Sequence, residues 1–573
     1  MPQANLNTSN LNTVKLNNGG APSPGFETFM RRLRNNKPCM KIEFIEINDT
    51  VTDITQYHLS GGNFEQIKER APDEIQAGNF DIVLSNHDNN FSEFVSGSFL
   101  DGKQYHGARI RVSLGFVFDD GSTQFEIIGV GIIDQLKMKD NLSKVTFRCR
   151  DAIKKIIDKT LRSTPSVEIP VVAANRGNGT LSTIETLPFA TQAEDWTVVC
   201  TVGGADGVAA FSVTGSISGS IGPATSGAEF ADTTAGLKLT IAAGIVDWAV
   251  GDTFTFSTAP IPQWNFENPA KIIWSVLTGY NWDTDTQEAW SDSVLALDRT
   301  QSDSNTEIDY LSFVDSVSKL GGTGVANDIK GFISYEEAAK DFFESLLILF
   351  LGSIFTDPNG RIVLKTWTPE IGDPTVRAFK DSRKIAALGY VRSIDEVINS
   401  VVVQFKRADR WEFSGFGVAF DSTFIQKDAT SITNFGEFTL ETQSKWHSSN
   451  GNHVENFAQR LIGKFAEPPL NIDFKTGLDG LRSQIGDVIQ VTDDKYGFDS
   501  LAGEISKIEK KLDEDPKEIS IRLRKDDDLQ VTWGFLGSEV DEGDGLSPQA
   551  DLFASATESD KRFAYSNNDY RMF

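Results

Sequence analysis

Short runs of alternating hydrophobic and polar residues dominate the chain from residue 38 onwards. The first of these runs lie between Met40 and Asp151 and read MKIEFIEIN, NFDIVLSN, ARIRVSLGFVF, FEIIGVGIID and SKVTFRCRD. Alternation in short runs rich in Val, Ile, Phe and Thr predicts half-buried β-strands. Five strands within about 115 residues predict a small β-barrel or β-sandwich.

The hydrophobic spacing changes after the last of these strands. In DAIKKIIDKTL (residues 151–161) Ile153, Ile156, Ile157 and Leu161 recur at helical intervals, and Asp151 is of a type that caps helices. The pattern predicts a short amphipathic helix that closes a first β domain, over residues 37–165.

A change of composition marks the next segment. Residues 171–260 contain two basic residues, eight acidic residues and twelve glycines. Four alternating runs, WTVVCTV, FSVTGSISG, LKLTIAAG and DTFTFST, are separated by Gly, Asp and Ser turns. We interpret residues 166–262 as an inserted β-sandwich.

Helical spacing returns after the insert. ENPAKIIWSVLTGY places Asn268 as a cap and Pro269 at the first helical position, where proline is favoured. A second helix is predicted in SYEEAAKDFFESLLILFLGSIF, in which Ser334 and Glu337 have capping-box spacing. Residues 263–353 are therefore predicted to form a helical connecting region.

Strands return after residue 353. Asp357, Pro358, Asn359 and Gly360 predict a hairpin turn, and VINSVVVQFK reads as a strand. A helix at about residues 453–465 precedes two prolines and the strands NIDFKTG, GDVIQVTD, GEISKIEKKL and KEISIRLRK. Residues 354–525 are interpreted as a second β domain that is similar in size to the first.

The two ends of the chain differ from its middle. Residues 1–36 are rich in Asn, Gly and Ser, which predicts a flexible arm. Residues 526–573 contain eleven acidic and three basic residues, which predicts an acidic extension. Between these ends the predicted fold class is mainly β with α, an α+β arrangement of several domains, as expected for 573 residues.

Net charge narrows the possible functions. The chain carries 54 Lys and Arg against 81 Asp and Glu, a net charge of -27. Phosphate backbones are repelled by such a surface, so sequence-specific nucleic acid binding is not expected. The acidity indicates either simple solubility or an acidic channel wall along which a polyanion slides without sticking.

Cysteine usage and hydropathy add further expectations. Cys39, Cys149 and Cys200 are far apart and form no CxxC pair, so we predict reduced, buried thiols rather than disulfides or a zinc site. The N-terminus has no apolar signal segment, and the longest apolar run, residues 346–355, is too short to span a bilayer. The expectation is a soluble protein made in a cytoplasm, with no membrane segment.

No residue pattern predicts catalysis. HExxH, GxSxG, GxxxxGK[ST] and a GxGxxG after a strand are all missing from the sequence. Asp283, Asp285 and Glu288 resemble an oxygen-ligand loop but lack the spacing of an EF-hand, and His447 and His453 are most simply solvated loop residues. We predict no enzyme activity, no cofactor and no metal, although a pair of glycosidase carboxylates is not excluded by sequence alone.

Several runs together carry a resemblance to a known family. AGNFDIVLSNHDNNFSEF (residues 77–94), GARIRVSLGF, FEIIGVGIIDQL and KVTFRCRDAIKKII resemble the opening domain of bacteriophage tail hub proteins. NSVVVQF (residues 399–405), the helix followed by two prolines, and IGDVIQVTD (residues 485–493) resemble the second barrel of that family. The insert resembles a small β module found in some phage tail proteins.

The resemblance implies a protein similar to the central baseplate hub of T-even phages. It implies two related β-barrels per chain and a homotrimer at the distal end of the tail of a virion. A tail tube protein would lie on one side and a tail tip, spike or fibre protein on the other, with the genome passing through the channel. The motif residues that we expect to have architectural roles are Asn79, Leu84, Ser85, Asn86, Asp151, Asn399, Gly486 and Asp487.

Two other functions stay open at this point. The insert is a candidate receptor- or glycan-binding module, in which Trp196 and Trp248 would stack on sugars, although aromatic residues on alternating strands more often belong to a core. A tail-associated peptidoglycan hydrolase is the third alternative. Its test is the release of fragments from peptidoglycan by the purified protein.

Overall fold

The computed structural model describes most of the chain between residues 38 and 525. The described ranges are 38–67, 75, 77–117, 123–139, 143–161, 171–172, 175–186, 194–258, 263–288, 295, 297–299, 307–320, 329–333, 337–366, 377–379, 386–412, 415–447, 451–513 and 517–525. The predicted N-terminal arm, the predicted acidic C-terminal extension and Ser334 lie outside them.

In the described ranges between residues 38 and 150 the chain forms eight strands. They are β1 (Cys39–Ile45), β2 (Val51–Asp53), β3 (His58–Gly61), β4 (Phe64–Ile67), β5 (Asn79–Ser85), β6 (Arg109–Val117), β7 (Thr123–Lys139) and β8 (Lys144–Arg150). Strands β5 to β8 form an antiparallel unit with the spatial order β5-β8-β7-β6, which we call the first β unit. Its alternate residues, such as Leu84 and Phe147, are fully buried in one core.

A single helical turn and a short strand follow the first β unit. They are α1 (Lys154–Ile157) and β9 (Thr160–Leu161). The predicted helix over residues 151–161 is therefore much shorter than expected. Leu161 pairs with Glu337 in an antiparallel bridge, and this pairing holds the chain extended where the helical pattern would have continued.

The insert consists of β-strands that form two sheets around their own core. Its strands are β10 (Val171–Val172), β11 (Thr180–Thr186), β12 (Glu194–Val202), β13 (Ala210–Gly215), β14 (Gly219–Thr225), β15 (Glu229–Asp232), β16 (Leu237–Ala242) and β17 (Thr253–Thr258). One sheet has the order β10-β17-β12-β13-β14 and the other the order β11-β16-β15. All four predicted runs contain strands, and FSVTGSISG turns between two of them.

Helices and a separate three-stranded sheet surround the largest core. The elements after the insert are β18 (Gln263–Glu267), α2 (Pro269–Thr278), α3 (Tyr310–Lys319), β19 (Ile329–Phe332), β20 (Glu337–Ala338), α4 (Ala339–Phe350), β21 (Ser353–Thr356), β22 (Ile362–Lys365), β23 (Arg377–Phe379), β24 (Ala386–Arg392), β25 (Ser400–Glu412), β26 (Gly415–Lys427), α5 (Ala429–Phe435), β27 (Thr439–Gln443) and α6 (Gly451–Phe465). The helical core includes Phe342 and Leu346 of α4 together with Val401 of β25.

Local sequence signals explain several of these elements. The Asn268 side chain accepts a hydrogen bond from the backbone N–H of Ala270, and Pro269 begins α2, as predicted. The turn predicted at Asp357 joins β21 to β22, with Gly360 in the left-handed region. Strand β25, in contrast, pairs with β26 and β27 in a separate sheet, whereas the sequence suggested that it joins the later strands in one β domain over residues 354–525.

The last strands repeat the layout of the first β unit. They are β28 (Leu470–Thr476), β29 (Val488–Asp493), β30 (Phe498–Lys511) and β31 (Glu518–Lys525). Their order is β28-β31-β30-β29, with every pair antiparallel, and we call them the second β unit. Both units thus place the fourth strand of the set beside the first.

Details of register strengthen this correspondence. The pairing of β7 with β8 shifts after Ile133, and the pairing of β30 with β31 shifts after Ile505. A β-bulge bends its strand and is typically a fixed feature of an architecture. Gly107 and Gly486 both have positive φ and precede the second strand of their units, and their N–H groups donate to the carbonyls of Ile133 and Ile505, respectively.

The two units are parts of one long sheet. Its path runs β2-β1-β6-β7-β8-β5-β4-β30-β31-β28-β24, so β4 joins the units. Within the described ranges the recorded strand pairings do not close either unit into a barrel. The fold is therefore mainly β with a few helices, and the barrel closure expected from the sequence is not seen in the part that the structure describes.

Candidate functional site

The candidate site is the seam where the two β units meet. We define the seam as the antiparallel pairing of β4 with residues 507–510 of β30. The Lys507 ammonium lies 2.6 Å from the Glu65 carboxylate across this pairing. At its end the Asn63 side chain accepts the N–H of Leu512, and Asp513 accepts the N–H of Gly61. Two parts of the chain more than 400 positions apart are thereby joined strand to strand.

Apolar packing crosses the seam as well. Leu114, Phe116 and Ile128 of the first β unit belong to the same core as Ile489 and Ile505 of the second. A shared core with a continuous hydrogen-bonded ladder makes the two units a rigid pair, because separating them would expose both apolar side chains and backbone groups.

A small cavity lies beside the seam. Its volume is about 30 Å³, which is room for about two water molecules. Its lining comes from both units and from the β21–β22 hairpin, and includes Asn79, Asp151, Thr356, Gln484 and Lys510. Two of the motif residues singled out from the sequence, Asn79 and Asp151, therefore meet at the junction of the units.

Asp151 is a buried carboxylic acid in this region. Its carboxylate accepts hydrogen bonds from the backbone N–H groups of Gly78 at 2.9 Å and Ile153 at 3.1 Å. Burial raises the pKa of Asp151 to about 7, since desolvation of the charged form outweighs these hydrogen bonds. The residue predicted to cap a helix instead ties strand β8 to the segment before β5, and the first residue of α1 has no side-chain cap.

Gly486 and Asp487 lie on the same side of the second unit. Asp487 accepts a hydrogen bond from the N–H of Gln484 at 2.8 Å and forms an ion pair with Lys365 of β22. A Cβ added to Gly486 would lie 3.0 Å from Cδ of Lys365. This pair of residues therefore fixes the turn before β29 and anchors it to the β21–β22 hairpin.

The remaining motif residues stabilise local turns. Leu84 is fully buried in the core of the first unit, and Ser85 ends β5 opposite Lys144. The Asn86 side chain accepts the N–H of Phe91 at 2.8 Å. Asn399 is fully buried; it accepts the N–H of Phe438 at 2.7 Å and donates to the carbonyl of Gly436 at 2.7 Å.

The two tryptophans of the insert are inside its core. Trp196 is 1% exposed and donates through Nε1 to Thr258, and Trp248 is 2% exposed and packs edge-on against Phe211 and Phe254. A sugar could stack on either ring only after that ring had left the core. Both rings belong to the core that also contains buried residues of the second sheet of the insert, such as Leu239.

The end of the insert farthest from its chain connections exposes aliphatic side chains instead. We call this surface the insert tip; it consists of Val202, Val208, Ile245, Val246 and Val250. Ile245 is 96% exposed. The Asp252 carboxylate accepts the N–H groups of Arg176, Gly177 and Ala249, so the loops beneath the tip are held in place.

The carboxylates considered as metal ligands have other partners. Asp283 forms an ion pair with Lys271, Asp285 one with Arg299, and Glu288 accepts a hydrogen bond from Asn281. Across the described ranges no group of three or more His, Cys, Asp or Glu side chains is placed to hold a metal ion.

Four residues and the helices bear on further expectations from the sequence. His447 is buried and stacks on Phe457, so it is not a solvated loop residue. Cys149 and Cys200 are buried free thiols as predicted, whereas Cys39 is exposed at the start of β1. No helix in the described part of the chain is long and apolar enough to cross a membrane.

Sequence reasoning missed the ion pairs that mark the repeated unit. Arg148 faces Asp81 across β8 and β5, and Arg522 faces Asp473 across β31 and β28. The signal was present in the strings NFDIVL with TFRCR and NIDFKT with SIRLR, whose Asn, Asp and two Arg recur at the same spacings. Aligning these strings would have identified the duplication before the fold was known.

Comparisons with known proteins give a mixed result. No protein-family model matches the chain, and no curated protein matches it. Among solved structures, the chain is similar to a tail protein from Neisseria meningitidis MC58, with 12% identity, coverage of 85% of this chain and 97% of that chain, and a TM-score of 0.40.

Two further solved structures cover most of the chain. One is the prophage MuSo2 tail protein from Shewanella oneidensis, with 10% identity, coverage of 86% and 99% and a TM-score of 0.39. The other is the prophage tail protein gp18 from Listeria monocytogenes EGD-e, with 9% identity, coverage of 84% and 94% and a TM-score of 0.36. At these TM-scores none of the similarities decides the architecture or the function.

Proposed function

We propose that this chain is a structural subunit of a bacteriophage-type tail, a trimeric hub at the distal end of the tail tube. The observation that carries the proposal is the duplication of the four-stranded β unit, with the same strand order, the same bulge and the same glycine turn. Three chains with two like units each present six like units around one axis. Such a ring matches a sixfold tube on one face and a threefold tip on the other.

The role in this proposal is assembly rather than catalysis. The rigid seam supports it, because a ring that transmits load between tube and tip needs units that do not move relative to each other. The hub would contact a tail tube protein on one side and a tip, spike or fibre protein on the other, within the virion. Obligate interfaces between such chains bury on the order of 2,000 Å² or more each.

The oligomeric state tests this function directly. Native mass measurement of the full chain at micromolar concentration is expected to give a trimer, and electron microscopy a ring with a central channel. A stable monomer under these conditions would contradict the proposal. Because the net charge is -27, we further expect carboxylates to outnumber basic groups on the channel wall, and a wall rich in Lys and Arg would contradict that part.

A second candidate function belongs to the insert. Its exposed aliphatic tip, on loops held by Asp252, favours a contact module for a receptor or a neighbouring tail protein. Deletion of residues 171–260 separates the two functions. Intact tails with lost adsorption would support receptor binding by the insert, whereas failed tail assembly would show that the insert is needed for the hub itself.

A further inference from the structure

Among the residues that the structure describes, β24 and the end of β7 are two of the edges of the long sheet that have no strand beside them. Strand β24 ends the sheet, and its Tyr390 and Val391 are 54% and 58% exposed. Strand β7 pairs with β6 only as far as Ile132, so residues 135–139 have a partner strand on one side alone. Open edges with apolar side chains tend to pair with another chain.

The seam shows what covers the equivalent of the β7 edge in the second β unit. The bulges after Ile133 and Ile505 align β7 with β30, so Gln135 corresponds to Lys507 and Lys137 to Glu509. Residues 507–510 of β30 are paired with β4 of the same chain. The matching residues of β7 have no such neighbour in the described part of the chain.

The equivalent of β4 can be located by the same reasoning. Glu65 of β4 lies opposite Asn79, and Val391 of β24 lies opposite Asn471. Asn79 pairs with Arg150 and Asn471 with Arg524 at matching positions of the two units. Val391 therefore corresponds to Glu65, and residues 390–393 correspond to β4.

We propose that residues 390–393 of one chain pair antiparallel with residues 135–138 of a second copy of this chain. This inference rests on the proposed trimeric ring and names the contact that closes it. The register follows from the seam and places these residues opposite each other: Tyr390 and Met138, Val391 and Lys137, Arg392 and Leu136, Ser393 and Gln135.

Symmetry is consistent with this contact. The two edges are different surfaces, so their pairing is head-to-tail, and a head-to-tail contact closes into a ring when its rotation allows. Three seams within chains would then alternate with three seams between chains, and the two kinds of seam would be built from equivalent strands. The pairing would also cover one flank of Tyr390 and of Val391, which are exposed apolar residues on an edge strand.

Disulfide trapping tests the register. We would combine Val391→Cys with Lys137→Cys in a Cys39→Ser background, which removes the exposed native thiol. Directly opposed residues on antiparallel strands have Cβ atoms about 4.5–5.5 Å apart, close enough for a disulfide after a small adjustment. Oxidation is expected to give covalent dimers and trimers on denaturing electrophoresis, and each single variant is expected to give none by this route.

The chain provides a matched control at the equivalent positions. Glu65→Cys with Glu509→Cys lies directly across the seam and should form a disulfide within one chain, without linking chains. A native trimer in which this control oxidises but Val391→Cys with Lys137→Cys does not would overturn the proposed pairing and leave the trimeric hub standing. A chain that is monomeric by native mass measurement would overturn both.

Discussion

Asp473 accepts two hydrogen bonds from the guanidinium of Arg522, from Nε to Oδ1 at 2.8 Å and from Nη2 to Oδ2 at 3.2 Å. The equivalent pair of the first unit, Asp81 and Arg148, has one hydrogen bond of 3.3 Å. Both pairs lie on exposed faces, where an ion pair contributes little to stability unless its geometry is bidentate. Both β units thus contain the Asp–Arg ion pair, and its hydrogen-bond geometry is better in the second unit.

A double-mutant cycle measures that difference. Alanine substitutions at Arg522 and Asp473 should give a coupling free energy of about 0.5–1 kcal/mol, because the pair is bidentate but solvent-exposed. The same cycle on Arg148 and Asp81 is the matched control and should give roughly half as much or less. Chemical denaturation monitored by fluorescence provides the values. Equal coupling in the two units would contradict the geometric argument.

Asp151 should make the stability of the chain depend on pH. Its pKa rises on folding from 3.8 to about 7, so the folded state holds the proton more tightly than the unfolded state. The resulting stabilisation is complete below pH 4 and is lost as pH rises towards 7, by on the order of 4 kcal/mol in all.

Comparison with Asp151→Asn isolates this effect from the other carboxylates. Between pH 4 and 8 the wild-type free energy of unfolding should fall relative to that of the variant, which cannot ionise there. Denaturation curves at each pH give the difference. A constant difference across this range would show that Asp151 does not change its charge on folding.

Gly486→Ala should destabilise the turn before β29 for two reasons. An alanine at its positive φ of 76° costs about 1–2 kcal/mol. The new Cβ would also lie 3.0 Å from Cδ of Lys365, so this side chain must shift and its contact with Asp487 is expected to weaken. Gly107→Ala is the control, since its φ is 88° and the nearest side-chain atom would be 3.9 Å away. We expect Gly486→Ala to be the more destabilising by about 0.5–1 kcal/mol, and the reverse order would disprove the role of Lys365.

Trp248→Ala should unfold the insert without dissociating the assembly. Removing a buried indole from a core of this size costs about 3–5 kcal/mol. Limited proteolysis is expected to show new cleavage between residues 194 and 258, while native mass measurement still gives the same oligomer. Ile245→Ala, which changes an exposed side chain of the insert tip, should leave the proteolytic pattern as in the wild type.

Sequence patterns predicted the elements whose signals are local. Asn268 with Pro269 marked the start of α2, and Asp357 with Gly360 marked a hairpin, because caps and turns depend on a few adjacent residues. The helix predicted over residues 151–161 was too long, since Leu161 satisfies a helical pattern equally well when it is buried as part of a strand. Periodicity cannot separate these cases when the partner strand is more than 170 residues away.

The hydrophobic pattern of the sequence could not predict the seam, for a different reason. Glu65 and Lys507 are neighbours through a pairing that joins distant parts of the chain, and neither residue lies in an unusual local context. Asn79 and Asp151 were recognised as motif residues, yet their meeting at one cavity depends on the sheet. Asp151 likewise lies next to Thr356 of the β21–β22 hairpin, and no residue pattern near Asp151 predicts this contact.

The connections of the insert have an evolutionary consequence. Val171 lies opposite Thr255 on neighbouring strands, so the chain enters and leaves this module at one end, away from its tip. Recombination could therefore replace the whole insert while the strands of the rest of the chain keep their positions. Sequence changes inside this module can therefore be accommodated within a core of its own.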